Sequence, residues 1–269
     1  MSSSYHIVVC GTIVPDPLQT LEPIQGLTGP ALKNELMLPA ILDPWASHAL
    51  YEAACLAAKA PGSKIWLVAL GPKIKLHQVM TQVAQKAPFE LIVVDGPASG
   101  FADSFEVADA LTGAIESIVG LDRSRLLIFG GWQSASRGAG TTLQMVGERL
   151  GITDQFQGVD ECNVETDDSL TITERVEAAS YLIMRIPGPP AVLGWATGNL
   201  PEPPNNPQLG MQNMHFIISA LKKANSAQLP SEGLNWHAVE LPKQRRKTRI
   251  VKNVPAEAIA AEIVAWIKS

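Results

Sequence analysis

The sequence predicts an α/β protein whose sheet is doubly wound and mostly parallel. Over the first 150 residues, short apolar runs alternate with segments in which apolar residues recur at helical spacing. A glycine closes or directly follows each of these apolar runs. Strands and helices that alternate in this way are typical of the crossover connections that build a parallel sheet.

Residues that start or stop secondary structure indicate the bounds of each predicted strand and helix. Predicted strands cover residues 6–11, 64–70, 89–95 and 125–129, and a long proline-rich loop without periodicity covers residues 14–39. The first predicted helix has Asp43 as its N-cap and Pro44 at its first position. It stops before the helix breakers Pro61 and Gly62. Further helices are predicted for residues 74–86 and 105–118, and another begins near residue 142.

The pattern changes after residue 150. Strand character marks residues 159–164, 170–176, 181–186 and 191–195, and a helix is predicted for residues 211–223. The proline-rich stretch between them, residues 199–206, excludes regular structure. A polar arm then leads to an amphipathic helix at residues 255–268, in which isoleucines recur every four residues. We therefore divide the chain into an α/β domain of residues 1–224 and a C-terminal arm and helix of residues 225–269. Such a helix is suited to docking on a second chain, and the alternative is that it folds back on its own domain.

Composition restricts the classes of function. Charged residues make up 17% of the 269 positions and apolar residues 46%, which favours a surface partly covered by a partner. A large buried sheet would also lower the charged fraction. The net charge of -5 argues against nucleic acid as the main ligand, and three dispersed cysteines favour neither a disulfide nor a zinc site. The start has no basic leader and no apolar run has the length of a membrane span, which predicts a cytoplasmic protein with no membrane insertion.

The most informative stretch is the loop at residues 130–142, between the fourth predicted strand and the next helix. Small residues surround Arg137, which is its only cation, and Thr141 and Thr142 can add hydroxyl donors. Small residues let a ligand approach the backbone, and the N–H groups at a helix start attract an anion. The loop therefore suits a phosphate. It lacks the sharp Walker and dinucleotide patterns, and the alternative is that it binds nothing.

Ligands of parallel sheets bind beyond the carboxyl ends of the strands, so the strand ends at Cys10, Leu70 and Phe129 should meet this loop at one crevice. No catalytic arrangement accompanies the crevice. The histidines are scattered without metal-ligand spacing, Ser134 and Ser136 lie outside a nucleophile elbow, and no paired acids stand out. We predict a protein that holds a cofactor, without catalytic residues and without a metal site.

Eight segments stand in the order and at the spacing of one known family. They are residues 6–12, 43–53, 69–72, 131–145, 173–177, 190–193 and 199–203, and the pair Lys222 and Lys223. Over almost its full length the chain resembles the beta subunit of electron-transferring flavoprotein.

The resemblance implies an adenine-nucleotide-binding, Rossmann-like fold and a heterodimer with an alpha subunit that carries most of an FAD site. Beta subunits of this family bind AMP in the crevice, and in electron-bifurcating members a second FAD takes its place. The residues implied for this AMP or FAD site are Cys10, Gly11, Thr12, Asp43, Leu70, Gly71, Gln133, Arg137, Gly138, Ala139, Gly140, Thr141 and Thr142. Trp45 is implied to lie against the edge of the alpha-bound FAD, and the C-terminal arm and helix are implied to wrap the alpha subunit. Asn199, Leu200 and Leu209 are implied to contact partners.

The implied function is that of an electron carrier and not of an enzyme. It passes electrons from an acyl-CoA or other flavin dehydrogenase toward a membrane quinone oxidoreductase. The phosphate loop departs from the family because Ser136, Arg137, Gly138 and Gly140 replace its acidic or amide residues, which leaves the identity of the nucleotide open. Two alternatives remain: a bifurcating-type subunit with a second FAD, and an ATP-binding enzyme or stress protein of the same fold.

Overall fold

The computed structural model describes residues 4–27, 29–96, 102–196, 200–227, 237–238, 240 and 249–268. Contacts divide the chain into two compact units, Met1–Val239 and Glu240–Ser269. The described part of the second unit contains the helix α6 (Ala256–Lys268). All other elements described below belong to the first unit.

The first unit alternates strands and helices as predicted. Its strands are β1 (His6–Pro15), β2 (Pro23–Gln25), β3 (Pro30–Leu32), β4 (Ala40–Leu42), β5 (Lys64–Gly71), β6 (Glu90–Asp95), β7 (Leu126–Gly131), β8 (Gln155–Val164), β9 (Leu170–Arg175), β10 (Tyr181–Ile186), β11 (Ala191–Trp195) and β12 (Asn225–Ser226). Its helices are α1 (Pro44–Lys59), α2 (Lys73–Val83), α3 (Ser104–Glu116), α4 (Thr142–Arg149) and α5 (Pro207–Lys223).

The main sheet follows the order β10-β9-β8-β11-β7-β1-β5-β6-β12, with β4 paired to β1. In this spatial order, every neighbouring pair of strands between β8 and β12 is parallel. At the other end of the sheet β9 pairs antiparallel with both β8 and β10, and β4 pairs antiparallel with β1. The chain first builds outward from β1 through β5 to β6, and it then places β7 on the other side of β1. Sheets of this kind open a crevice at the carboxyl ends of the two strands between which the direction reverses. The fold is thus the predicted doubly wound, mostly parallel α/β sheet, and its switch point lies between β1 and β7.

Helices cover both faces of the sheet. The core on one face includes Leu50 of α1 and Met80 of α2, and the core on the other face includes Leu111 of α3 and Val146 of α4. Neighbouring residues of the central strand β1 belong to different cores, so the strand is buried on both sides. This explains why its sequence is a continuous apolar run and does not alternate.

Several segments differ from the prediction. The loop at residues 14–39 is not wholly irregular, because β1 continues to Pro15 and β2 and β3 form a hairpin. Helix α5 begins at Pro207, four residues earlier than predicted, because the Asn206 side chain accepts hydrogen bonds from the N–H groups of Gln208 and Leu209. Beyond the predicted domain boundary at residue 224, β12 joins the sheet beside β6.

None of the described helices combines the length and the apolar character that crossing a bilayer requires.

Candidate functional site

A cleft opens at the switch point, above the carboxyl ends of β1 and β7. About 910 Å³ of space lies in the cleft and in front of it, with the open solvent at its mouth included. Cys10 and Leu70 lie at its base, α3 forms one wall, and the loop between β7 and α4 forms the other.

Most residues proposed from the sequence for a nucleotide line this one cleft. They are Cys10, Gly11, Thr12, Asp43, Leu70, Gln133, Arg137, Ala139, Gly140, Thr141 and Thr142. Gly71 and Gly138 do not line it. Gly71 continues β5 opposite Asp95 of β6, and the Gly138 N–H donates to the Ser134 carbonyl at 2.9 Å. These two glycines therefore shape the elements around the cleft.

The loop between β7 and α4 needs glycine at two positions. Gly138 and Gly140 have φ values of 64° and 68°, in the left-handed region that disfavours residues with a Cβ. A Cβ on Gly140 would also lie 2.8 Å from the carbonyl oxygen of Trp132. These constraints bring the loop backbone close to the first turn of α4.

The N-terminus of α4 borders the cleft, and the side chain of its N-cap residue does not cap it. Thr141, its N-cap, makes no capping hydrogen bond, although Thr141, Thr142 and Leu143 all line the cleft. By contrast, Asp43 caps α1 and Asp103 caps α3. The first N–H groups of a helix carry partial positive charge and attract an anion when no side chain satisfies them. The N-terminus of α4 can therefore attract an anion that enters the cleft.

Asp43 ties the loop to α1. Its Oδ2 accepts a hydrogen bond from the Ala135 N–H at 2.8 Å, and its Oδ1 accepts one from the Trp45 N–H at 3.0 Å. Burial raises the pKa of this carboxyl above its usual range, against the lowering effect of the N–H groups of Ala135, Trp45 and Ala46. Although Asp43 borders the cleft, its carboxylate accepts hydrogen bonds from the backbone N–H groups of Trp45 and Ala135.

Helix α3 supplies a wall that sequence reasoning did not assign to the site. Ser104, Val107 and Leu111 line the cleft from α3, and the last two present an apolar surface suited to a flat ring. The helical spacing of this segment is visible in the sequence, but nothing in the sequence indicates which element the helix faces. Arg149 of α4 fixes the two helices together, because its guanidinium pairs with an Asp109 carboxylate oxygen at 2.9 Å.

Arg137 and Cys10, which were both predicted for the site, also line the cleft. The Arg137 Nη1 donates to the Ala102 carbonyl oxygen at 2.6 Å and so links the loop between β7 and α4 to Ala102, just before α3. Burial raises the pKa of the Cys10 thiol to about 12, so the base of the cleft is neutral at physiological pH.

Trp45 lies beside the cleft but does not line it. The residue is half-buried in the first turn of α1, and a Cβ on Gly131 would lie 2.5 Å from its Cβ. Trp132, which directly follows Gly131, is 38% exposed. Indole groups therefore stand next to the proposed phosphate loop.

The residues proposed for partner contacts are less fully described. Asn199 lies outside the described residues, while Leu200 and Leu209 are half-buried. In α6 no described residue is buried, and Ile259, Ile263 and Ile267 are 44%, 46% and 79% exposed. In the described part of the chain, no three His, Cys, Asp or Glu side chains are grouped so that they could hold a metal ion.

Comparison with known proteins identifies the family. The electron transfer flavoprotein domain matches residues 34–214, about two-thirds of the chain. The match includes α1, the loop between β7 and α4, and α3, whereas β1 precedes it. No curated protein sequence matches the chain significantly. The chain therefore belongs to the electron transfer flavoprotein family.

Proposed function

We propose that this chain is the beta subunit of a heterodimeric electron transfer flavoprotein and that its cleft holds AMP as a structural ligand. The observation that carries the proposal is the uncapped N-terminus of α4, which borders a cleft at the switch point of the sheet. Such a position favours the phosphate of a nucleotide.

The residues of the cleft fit both ends of such a ligand. The first N–H groups of α4 and the hydroxyls of Thr141 and Thr142 would hold the phosphate. Val107 and Leu111 offer an apolar wall to the adenine ring, close to Cys10, which is neutral and adds no charge. Arg137 can add a positive charge if its guanidinium leaves the Ala102 carbonyl.

In this proposal the partner is an alpha subunit that holds most of the FAD, and the FAD supplies the electron-transfer chemistry. The beta subunit contributes geometry. Trp45 would cover one edge of the flavin, where a large half-buried ring can stack or pack edge-on. The apolar side chains of α6 would dock on the alpha subunit, because the helix buries none of its own residues.

We further propose that the chain takes part in carrying electrons from an acyl-CoA or other flavin dehydrogenase toward a membrane quinone oxidoreductase, with Leu200 in the loop that docks the dehydrogenase. Leu200→Ala should slow flavin reduction by the dehydrogenase in stopped-flow experiments and leave the nucleotide content unchanged. Leu18→Ala is the control, since Leu18 is 91% exposed in a different loop. Equal rates for both variants would remove Leu200 from the docking site.

The decisive experiment is to purify the chain with its partner subunit and identify the released nucleotides by mass spectrometry. We expect one AMP and one FAD per heterodimer. Two FAD molecules and no AMP would indicate a bifurcating-type subunit. Turnover of ATP by the chain alone, with no flavin in any co-purified partner, would overturn the proposal in favour of an ATP-binding protein of the same fold.

A further inference from the structure

We propose that Asp43 couples the nucleotide cleft to Trp45, so that a nucleotide in the cleft fixes the position of the tryptophan. The inference builds on the proposed function, since it takes AMP as the ligand and Trp45 as the residue that covers the flavin. It adds a regulatory role to a nucleotide that would otherwise be only structural.

A single buried carboxylate makes the connection. The Asp43 Oδ2 accepts from the Ala135 N–H of the phosphate loop at 2.8 Å, and its Oδ1 accepts from the Trp45 N–H of α1 at 3.0 Å. The Asp43 N–H also donates to the Thr12 carbonyl of β1 at 3.0 Å. Asp43 is only 3% exposed, so water competes little for these bonds. The carboxylate therefore joins the loop to the helix, and the backbone of the same residue joins them to the central strand.

A steric contact runs in parallel with these hydrogen bonds. A Cβ built on Gly131 would lie 2.5 Å from the Trp45 Cβ and 3.5 Å from its carbonyl carbon. The end of β7 is thus packed against the tryptophan backbone with no space for an added atom. A shift of the loop base cannot be absorbed there and has to be passed to the first turn of α1.

The other side of the loop faces the ligand. Its other hydrogen bonds include the Arg137 N–H to the Ser134 Oγ at 3.2 Å, the Arg137 guanidinium to the Ala102 carbonyl at 2.6 Å and, at the base of the loop, the Trp132 N–H to the Trp195 carbonyl at 3.1 Å. A phosphate at the N-terminus of α4 would contact this same loop and restrict its movement. Because coupling between two sites is reciprocal, a partner that fixes Trp45 should in turn tighten AMP binding.

Two variants remove the hydrogen bond between Asp43 and Ala135, one by changing the acceptor and the other by changing the donor. Asp43→Asn keeps an oxygen for the Trp45 N–H and caps a helix about as well as Asp, but its amide nitrogen cannot accept from Ala135. Ala135→Pro removes the donor, because proline has no backbone N–H. Asp103→Asn is the matched control, because Asp103 caps α3 by accepting from the Phe105 N–H at 3.2 Å.

The readout is the fluorescence of Trp45 during titration of the full-length chain with AMP, taken as the difference between the chain and its Trp45→Phe variant. Calorimetry on the same samples measures AMP binding independently. We expect AMP to change the Trp45 emission in the unmodified chain and in Asp103→Asn. In Asp43→Asn and Ala135→Pro this change should be lost, and the dissociation constant of AMP should rise by about tenfold, the effect of losing a hydrogen bond to a charged group.

The two measurements separate the possible failures. If AMP binds the unmodified chain without changing the Trp45 emission, the coupling is overturned while the proposed function stands. An unchanged response in a folded Asp43→Asn or Ala135→Pro variant also overturns it. If calorimetry shows no AMP binding to the unmodified chain, the nucleotide assignment fails and the coupling with it. Far-UV circular dichroism identifies a variant that has not folded, and the comparison of the unmodified chain with Trp45→Phe is then decisive by itself.

Discussion

At the end of β7 the missing side chain of Gly131 decides the local geometry. A Cβ at this position would lie 2.5 Å from the Trp45 Cβ and 2.7 Å from the carbonyl oxygen of Gln133. Neither neighbour can move cheaply, because one belongs to the start of α1 and the other is backbone of the phosphate loop. The loop can therefore turn back over the cleft only if the residue here has no side chain.

We expect Gly131→Ala to lower the free energy of unfolding by about 1–3 kcal/mol, the usual cost of overpacking, and to weaken AMP binding because the loop is displaced. Urea denaturation and calorimetry would measure the two effects. Gly113→Ala is the matched control, since a Cβ at this position in α3 meets no atom within 4 Å. Alanine there should raise the free energy of unfolding by about 0.5–1 kcal/mol. Equal stabilities of the two variants would contradict the steric interpretation.

At the scale of elements, the start of α4 links stability to binding. Thr142 is the first residue of the helix, and the N-cap Thr141 leaves the helix end without a side-chain hydrogen bond. A carboxylate at this end interacts favourably with the helix dipole, whereas it repels a phosphate bound to the same N–H groups. A carboxylate should therefore stabilise the helix and weaken the binding of a phosphate, so a single substitution can separate helix stability from binding.

We expect Thr142→Asp to raise the free energy of unfolding of the nucleotide-free chain by about 0.3–1 kcal/mol and to raise the dissociation constant of AMP by at least about tenfold, equivalent to roughly 1.4 kcal/mol. Thr142→Asn, which has a similar shape and no charge, separates the charge from the loss of the hydroxyl. Thermal unfolding and calorimetry provide the two values. If Thr142→Asp binds AMP as well as Thr142→Asn does, the phosphate lies elsewhere.

Elements with local end signals could be predicted from the sequence. Asp43 and Pro44 mark the start of α1, which begins at Pro44 as expected, because a cap and a first-turn proline act within a few residues. The strand β8 shows the opposite case. It begins at Gln155, four residues before its predicted start, because polar Gln155 and Gln157 hide the apolar pattern while the Gln157 N–H bonds to the Glu174 side chain.

The residues that line the cleft also differ in whether the sequence carries a signal for their position. The glycine-rich loop and the strand ends at Cys10 and Leu70 line one cleft as predicted, because parallel topology brings carboxyl ends together. The wall formed by Val107 and Leu111 was missed, because the helical period of α3 does not reveal its orientation toward the cleft. The Arg137 contact with Ala102 joins residues 35 positions apart and has no local sequence signal.

At the scale of the whole molecule, the two units differ in what stabilises them. The Met1–Val239 unit has a core on each face of its sheet. In the Glu240–Ser269 unit, α6 has 13 residues and none is buried. An isolated helix shorter than about 12–15 residues is marginal in water, and tertiary packing supplies most of the stability of protein helices. The stability of α6 therefore depends on packing that its own unit does not supply among the described residues.

We expect deletion of residues 240–269 to leave a folded chain that binds AMP with unchanged affinity and fails to retain the alpha subunit. The nucleotide cleft is built wholly from residues before this segment, so its binding energy should not depend on α6. Calorimetry with AMP and size-exclusion chromatography with the partner would measure the two properties on the same preparation. A truncated chain that still forms a stable heterodimer would show that α6 is not the main contact.

A single substitution in α6 tests the same interface without shortening the chain. Ile263→Asp places a charge in the apolar surface, where burial of isoleucine would contribute roughly 1.5–3 kcal/mol. We therefore expect the dissociation constant of the heterodimer to rise by about tenfold to a hundredfold. Glu257→Gln is the control, since it changes a charge in the first turn of the same helix and keeps the apolar residues. If surface plasmon resonance finds equal affinities for the two variants, the apolar surface of α6 does not face the partner, and the low charge of the chain must be explained by its sheet alone.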